Sequence, residues 1–188
     1  MMKILTTIAF VSTLMVGTAQ AEVFYSSDQV GVWETFGTTG NGELNPACVA
    51  LSEWDDGSDI QFTKDLASQE LYIRIYNVNW DMSDEPGTEV EVRINFWKDD
   101  RFVEGGTTSM IIINHNTVVV PWLEATKFTP DFMENHVMKF VMPGEVSNIQ
   151  VSLDGSSAAV VNMAKCMVEY DSKNPSGKNT STVPGKDA

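Results

Sequence analysis

Two cysteines, Cys48 and Cys166, and two histidines, His115 and His136, are the side chains with the widest chemical repertoire in this sequence. Neither cysteine has a second Cys or a His beside it, so the spacing of a metal knot is lacking. Two thiols allow one intramolecular pairing, a Cys48–Cys166 disulfide joining the start of a domain to its end. Chain-entropy models give a loop that long roughly 4–5 kcal/mol of stabilisation. A catalytic thiol and metal ligation stay open as alternatives. Either histidine could act as the base of a small hydrolase if a nucleophile and a carboxylate gather around it in space. No nucleophile elbow, phosphate-binding glycine loop, dinucleotide fingerprint or zincin helix accompanies them. The expectation is therefore a protein without an enzymatic activity.

Carboxylates are the next group. Asp55, Asp56 and Asp59 surround Gly57 and Ser58, and Asp81, Asp84 and Glu85 precede Pro86 and Gly87. Calcium takes oxygens from such turns, yet neither loop follows the twelve-residue EF-hand order. A solvated turn is the expectation. A calcium-dependent or carbohydrate-binding module using Asp55, Asp56 and Asp59 is the alternative, and calcium is the one cofactor it would bring. The aromatic content offers a third route. Trp33, Trp54, Trp80, Trp97 and Trp122 stand with Tyr25, Tyr72 and Tyr76. Tyr72 and Tyr76 flank Arg74 on one face of an alternating strand, and exposed Tyr and Arg are common interface anchors. Tyr72, Arg74 and Tyr76 are thus the candidate binding patch, unless a second layer covers that face.

The elements that must position these groups are mostly strands. Val90, Val92, Ile94 and Phe96 alternate with polar residues, as do Leu71, Ile73 and Ile75, giving strands with one dry face. Lys98-Asp99-Asp100 reads as a hairpin loop returning through Arg101-Phe102-Val103, and Asn114-His115-Asn116 as a turn between two β-branched runs. Ile149, Val151 and Leu153 form a late strand; 30–36, 48–54 and 60–62 are weaker candidates. Two helices are expected. One opens at Thr129 as N-cap with Pro130 in its first turn and reaches about Val137, burying Phe132, Met133 and His136. The other starts near Asp154 to Ser156 and carries Val160, Met163, Cys166, Met167 and Tyr170 at helical spacing. An extended segment from Val160 to Val168 is the fallback. The fold class is mainly β, an antiparallel sandwich or barrel-like sheet with one or two short helices and one disulfide.

The ends differ from the body. Met1-Met2-Lys3, the apolar stretch from Ile4 to Val16 and Ala19-Gln20-Ala21 follow the order of a secretory signal peptide, so residues 1–21 are expected to be removed on export. The apolar stretch is too short to span a bilayer, and Glu22 after the cut offers no thiol for a lipid anchor. Residues 22–170 make one β-sandwich domain. Residues 171–188, rich in Ser, Asn, Gly, Thr and Lys, are expected to form a disordered tail. The 188-residue chain carries net charge −14. Such a charge repels nucleic acid and anionic membrane and favours cationic partners. The functional reading is a periplasmic or secreted binding protein that engages a protein or envelope component, with a basic partner favoured and no integral membrane segment after cleavage.

Two segments add a resemblance. Val151 to Ala159, running on to Cys166, and Tyr76-Asn77-Val78-Asn79-Trp80-Asp81-Met82 before the strand at Glu89 resemble small exported single-domain proteins of alphaproteobacteria. They are distantly similar to the invasion-associated locus B group, which shares a serine-leucine-x-glycine ending before a last helix. That group has more cysteines near its strands than the two found here. The resemblance implies a periplasmic β-rich domain without established catalytic residues, and it transfers no site residue.

Overall fold

The computed structural model describes residues 21–41, 44–82, 84–121, 125–142 and 148–175. The signal-like segment 1–20, Trp122 and the tail from 176 onward lie outside the described residues. Ten strands form one antiparallel sheet: β1 Val23–Ser26, β2 Glu34–Thr38, β3 Ala47–Glu53, β4 Asp59–Asp65, β5 Leu71–Tyr76, β6 Glu89–Lys98, β7 Arg101–Asn114, β8 Thr117–Val120, β9 Val137–Val141 and β10 Ile149–Ser152. Helix α1, Ala125–Glu134, comes between β8 and β9, and helix α2, Ser156–Lys173, follows β10. The strand order is β1-β2-β3-β4-β5-β8-β7-β6-β9-β10, with every neighbouring pair antiparallel. The sheet is mainly antiparallel β with two helices and a disulfide, as the alternation implied, and it is not closed into a barrel.

Period-two alternation decides which side is dry. Phe62 of β4, Ile73 and Ile75 of β5, Val92, Ile94 and Phe96 of β6, and Met138 and Phe140 of β9 all enter one core. The path of the sheet follows from the rings of α1. Phe62 lies 5.4 Å from Phe128 and 4.9 Å from Phe132, while Phe96 lies 5.6 Å from the same Phe128. Strands β4 and β6 are four places apart, which in a flat sheet is about 19 Å. One phenylalanine can touch both only because the sheet bends around α1. The helix fills the fold and the two halves of the sheet face each other across it.

The first helix departs from its expectation. It begins at Ala125 and ends at Glu134, so Pro130 sits inside it and not in its first turn. A proline there removes the bond to the carbonyl four residues back. The benefit is that both Phe128 and Phe132 reach the core. His136 lies beyond the helix and is exposed, and Val137 starts β9. The second helix runs where the apolar spacing put it and continues through Asp171 to Lys173, three residues into the segment expected to be disordered. Its buried stripe is Ser156, Ala159, Met163 and Cys166.

Cys166 bonds Cys48 of β3, with Cα atoms 6.0 Å apart and 118 residues between them. Both sulfurs are wholly buried, under Leu66, Phe24, Tyr25, Met167 and Tyr170. This disulfide clips α2 over β1, β2 and β3. A second tie joins the two ends of the sheet: Val32 donates its N–H to the carbonyl of Asp154 at 3.1 Å, just after β10.

Candidate functional site

Strand β5 sends Ile73 and Ile75 inward, so Tyr72, Arg74 and Tyr76 share the outer face. Register places Arg74 between Gln61 of β4 and Val119 of β8. Its guanidinium donates to Asp59 at 2.8 Å. Burial pushes the Asp59 carboxyl above the usual range, and Arg74 opposes but does not cancel that push. Tyr72 stands across from Thr63 and is half-buried. Burial, helped by the charge of Asp65, raises its hydroxyl above the ordinary tyrosine value. Tyr72 and Arg74 line a concavity of about 380 Å³ with Glu70, Ile113, Val119 and Pro121. Tyr76 lies on the same face beside Thr117 but outside that concavity. The patch is thus half covered, an apolar hollow with one cation and one anion at its margin.

The acidic turn between β3 and β4 directs its three carboxylates to separate places. Asp56 accepts the Ser58 N–H and the Asn79 side-chain N–H, both at 2.9 Å. Hydrogen bonds led by that from Ser58 hold its carboxyl below the usual range. Asp59 faces Arg74, and Asp55 is exposed. The Ser58 hydroxyl accepts the Val78 N–H, so the turn is fastened to the loop after β5. Among the described residues no three acidic, histidine or cysteine side chains converge as a metal site.

The histidines lie in different places. His115 occupies the exposed β7–β8 turn, where its carbonyl accepts the Met82 N–H. His136 Nδ1 is 3.3 Å from Asp99 Oδ1, with both side chains largely in solvent. That pair borders an open hollow of about 350 Å³ together with Trp97, Lys139 and Gln150. A base and an orienting acid are therefore adjacent, but among the described residues no Ser, Thr or Cys lines the hollow to serve as nucleophile. Lys139 lies over the Trp97 ring at 4.6 Å from its centre, a cation–π contact.

Of the aromatic residues, Trp33 and Trp80 belong to the core, and Trp54 packs partly against it. Trp97, named among the aromatic candidates, is half-buried, and its pairing with Lys139 was not readable because β9 had to be known first. The hairpin return through Arg101, Phe102 and Val103 opens β7 as expected, but the middle of that strand was missed, since Glu104-Gly105-Gly106-Thr107-Thr108-Ser109 carries no strand signal. Comparison with family models, curated proteins and solved structures finds no match to this chain.

Proposed function

We propose that this chain is an exported, non-enzymatic binding protein that engages a basic protein or envelope component through the outer-face concavity at Tyr72 and Arg74. The observation that carries this reading is the hollow itself. Two interface-type side chains border a half-dry surface of Ile113, Val119 and Pro121, with Glu70 at the margin to meet a cation. The strongly acidic composition supports a cationic partner, and the disulfide supports an oxidising compartment. No helix among the described residues is long and apolar enough to cross a membrane. The signal-like order of residues 1–21 supports export.

Site-specific photo-crosslinking tests the reading. A benzophenone side chain placed at Ile113, beside the hollow, is expected to give one adduct in envelope extract, with a basic species. The control carries the same group at Val168, an exposed residue of α2. An identical adduct from both positions, or none from Ile113, removes the concavity as the binding site.

A further inference from the structure

Strand β7 is fourteen residues long, but β8 covers only its last few positions, from Ile111 to Asn114. Pro121 follows Val120 and has no N–H to extend the ladder. Among the described residues, nothing pairs with the other edge of β7 before Ile111, and Arg101 to Thr107 are exposed apart from half-buried Gly105. A bulge interrupts the strand at Val103, since Phe96 faces Glu104 while Trp97 faces Phe102. The regular open edge is therefore Glu104 to Ser109. Natural sheets usually guard such edges with lysine, proline or a covering loop. Here two glycines and three small hydroxyl residues leave the backbone open to close approach.

A groove runs between this edge and α1, with a cavity of about 270 Å³. Its floor includes Ile94, Phe96 and Phe128, and its rim carries Glu104, Lys127 and Asp131. Gly106 faces inward opposite Ile94, and a Cβ added there would meet nothing within 4 Å. Lys127 pairs with Glu104 at 3.5 Å. Burial first, and then the charges of Glu104 and Glu134, push the Asp131 carboxyl above its usual range, with Lys127 opposing. Next to Gly105, Asn95 keeps a buried side-chain oxygen without a donor among the described residues. Edge, apolar floor and acidic rim together specify a guest more closely than any one of them.

We propose that the free edge of β7, from Glu104 to Ser109, takes an extended segment of another protein as an added strand. An apolar residue of that segment enters the groove beside Gly106, and a basic residue two positions away meets Glu104 and Asp131. Main-chain hydrogen bonds supply attraction, and the two alternate side chains supply selectivity, the usual division in strand addition. This site is separate from the concavity at Tyr72 and stands whether or not that one binds anything.

The probe is a capped nine-residue threonine peptide with valine at its fourth position and lysine at its sixth. Titration followed by amide NMR is expected to shift and protect the amides of residues 104–109. The lysine-to-glutamate peptide should bind at least tenfold more weakly, and a peptide N-methylated at alternate backbone positions should not bind. Gly106→Phe is expected to fill the groove and abolish binding with an unchanged melting temperature, whereas Tyr72→Ala should leave binding intact. Equal binding by the N-methylated peptide, or by Gly106→Phe, overturns the proposal. So does a concentration-dependent dimer that Gly106→Phe dissolves while the peptide fails to compete, because the occupant is then a second copy. Binding that occurs only after residues 176–188 are removed would also overturn it, naming the chain's own tail as occupant.

Discussion

Ser156 and Ser157 are neighbours that make the same bond in different surroundings. Each donates its hydroxyl to a carbonyl of α1 at 2.7 Å, Ser156 to Phe132 and Ser157 to Met133. Ser156 is 1 % exposed, while Ser157 is open to water. Water can replace the lost donor at the second position and not at the first. Ser156→Ala should therefore cost about 1–3 kcal/mol, and Ser157→Ala less than about 0.5 kcal/mol. Urea unfolding of the two variants checks this, and equal losses would refute it. Asp65 gives a pH-dependent counterpart. Burial works to raise its carboxyl, but hydrogen bonds from Ser68, Asn45 and Ala67 prevail and hold it below the ordinary range. A carboxyl lowered in the folded state stabilises above its unfolded value, and that contribution fades as pH falls through the lowered one. Asp65→Asn should be less stable than the parent at pH 7, with the gap closing in acid; thermal melts across pH test it, and a gap independent of pH would contradict it. At this scale the sequence was partly legible. Two cysteines permit one pairing, whereas the directions of Asp55, Asp56 and Asp59 depend on register with β5, which residue types do not reveal.

Elements were legible where one periodicity ran long enough to exclude the other. Strands β5 and β6 alternate over six and ten residues, and the eighteen-residue α2 buries Ala159, Met163 and Cys166 at helical spacing. Helix α1 was misplaced because Thr129-Pro130-Asp131 looks like a helix start, although core demand for Phe128 draws the helix five residues earlier. Extending that helix to Val137 then hid β9. The middle of β7, Glu104 to Ser109, was unreadable for another reason: two glycines and three small hydroxyl residues supply no apolar side chain to mark a dry face. The element most dependent on one bond is α2. Its stripe buries only four residues, and Cys166 is one of them. Replacing Cys48 and Cys166 together by Ala should cost about 2–5 kcal/mol, with helix content retained in the folded form. Melting curves with far-ultraviolet circular dichroism read both quantities. An unchanged midpoint would mean that packing alone holds α2 to the sheet.

For the whole molecule, strand order was beyond the sequence because β5 pairs with β8 and β6 with β9, contacts that local patterns do not encode. The same non-local logic joins the two ends of the sheet. Gly31 and Gly155 both have positive φ, 61° and 86°, and they face each other where the chain before β2 meets the chain after β10. A Cβ on Gly31 would stand 2.2 Å from the Asp154 carbonyl oxygen, and one on Gly155 would stand 2.0 Å from that of Val30. Either alanine is strained by its backbone conformation, at about 1–2 kcal/mol, and forces the same two segments apart. Once one alanine has opened the contact, the second meets no clash. Gly31→Ala and Gly155→Ala should each destabilise by more than about 2 kcal/mol, yet the double variant should fall short of their sum by more than about 0.5 kcal/mol. Urea unfolding of all four forms supplies the cycle. Strict additivity would mean that the two glycines are strained independently and that the curled sheet is held by its core and disulfide without a seam between its ends.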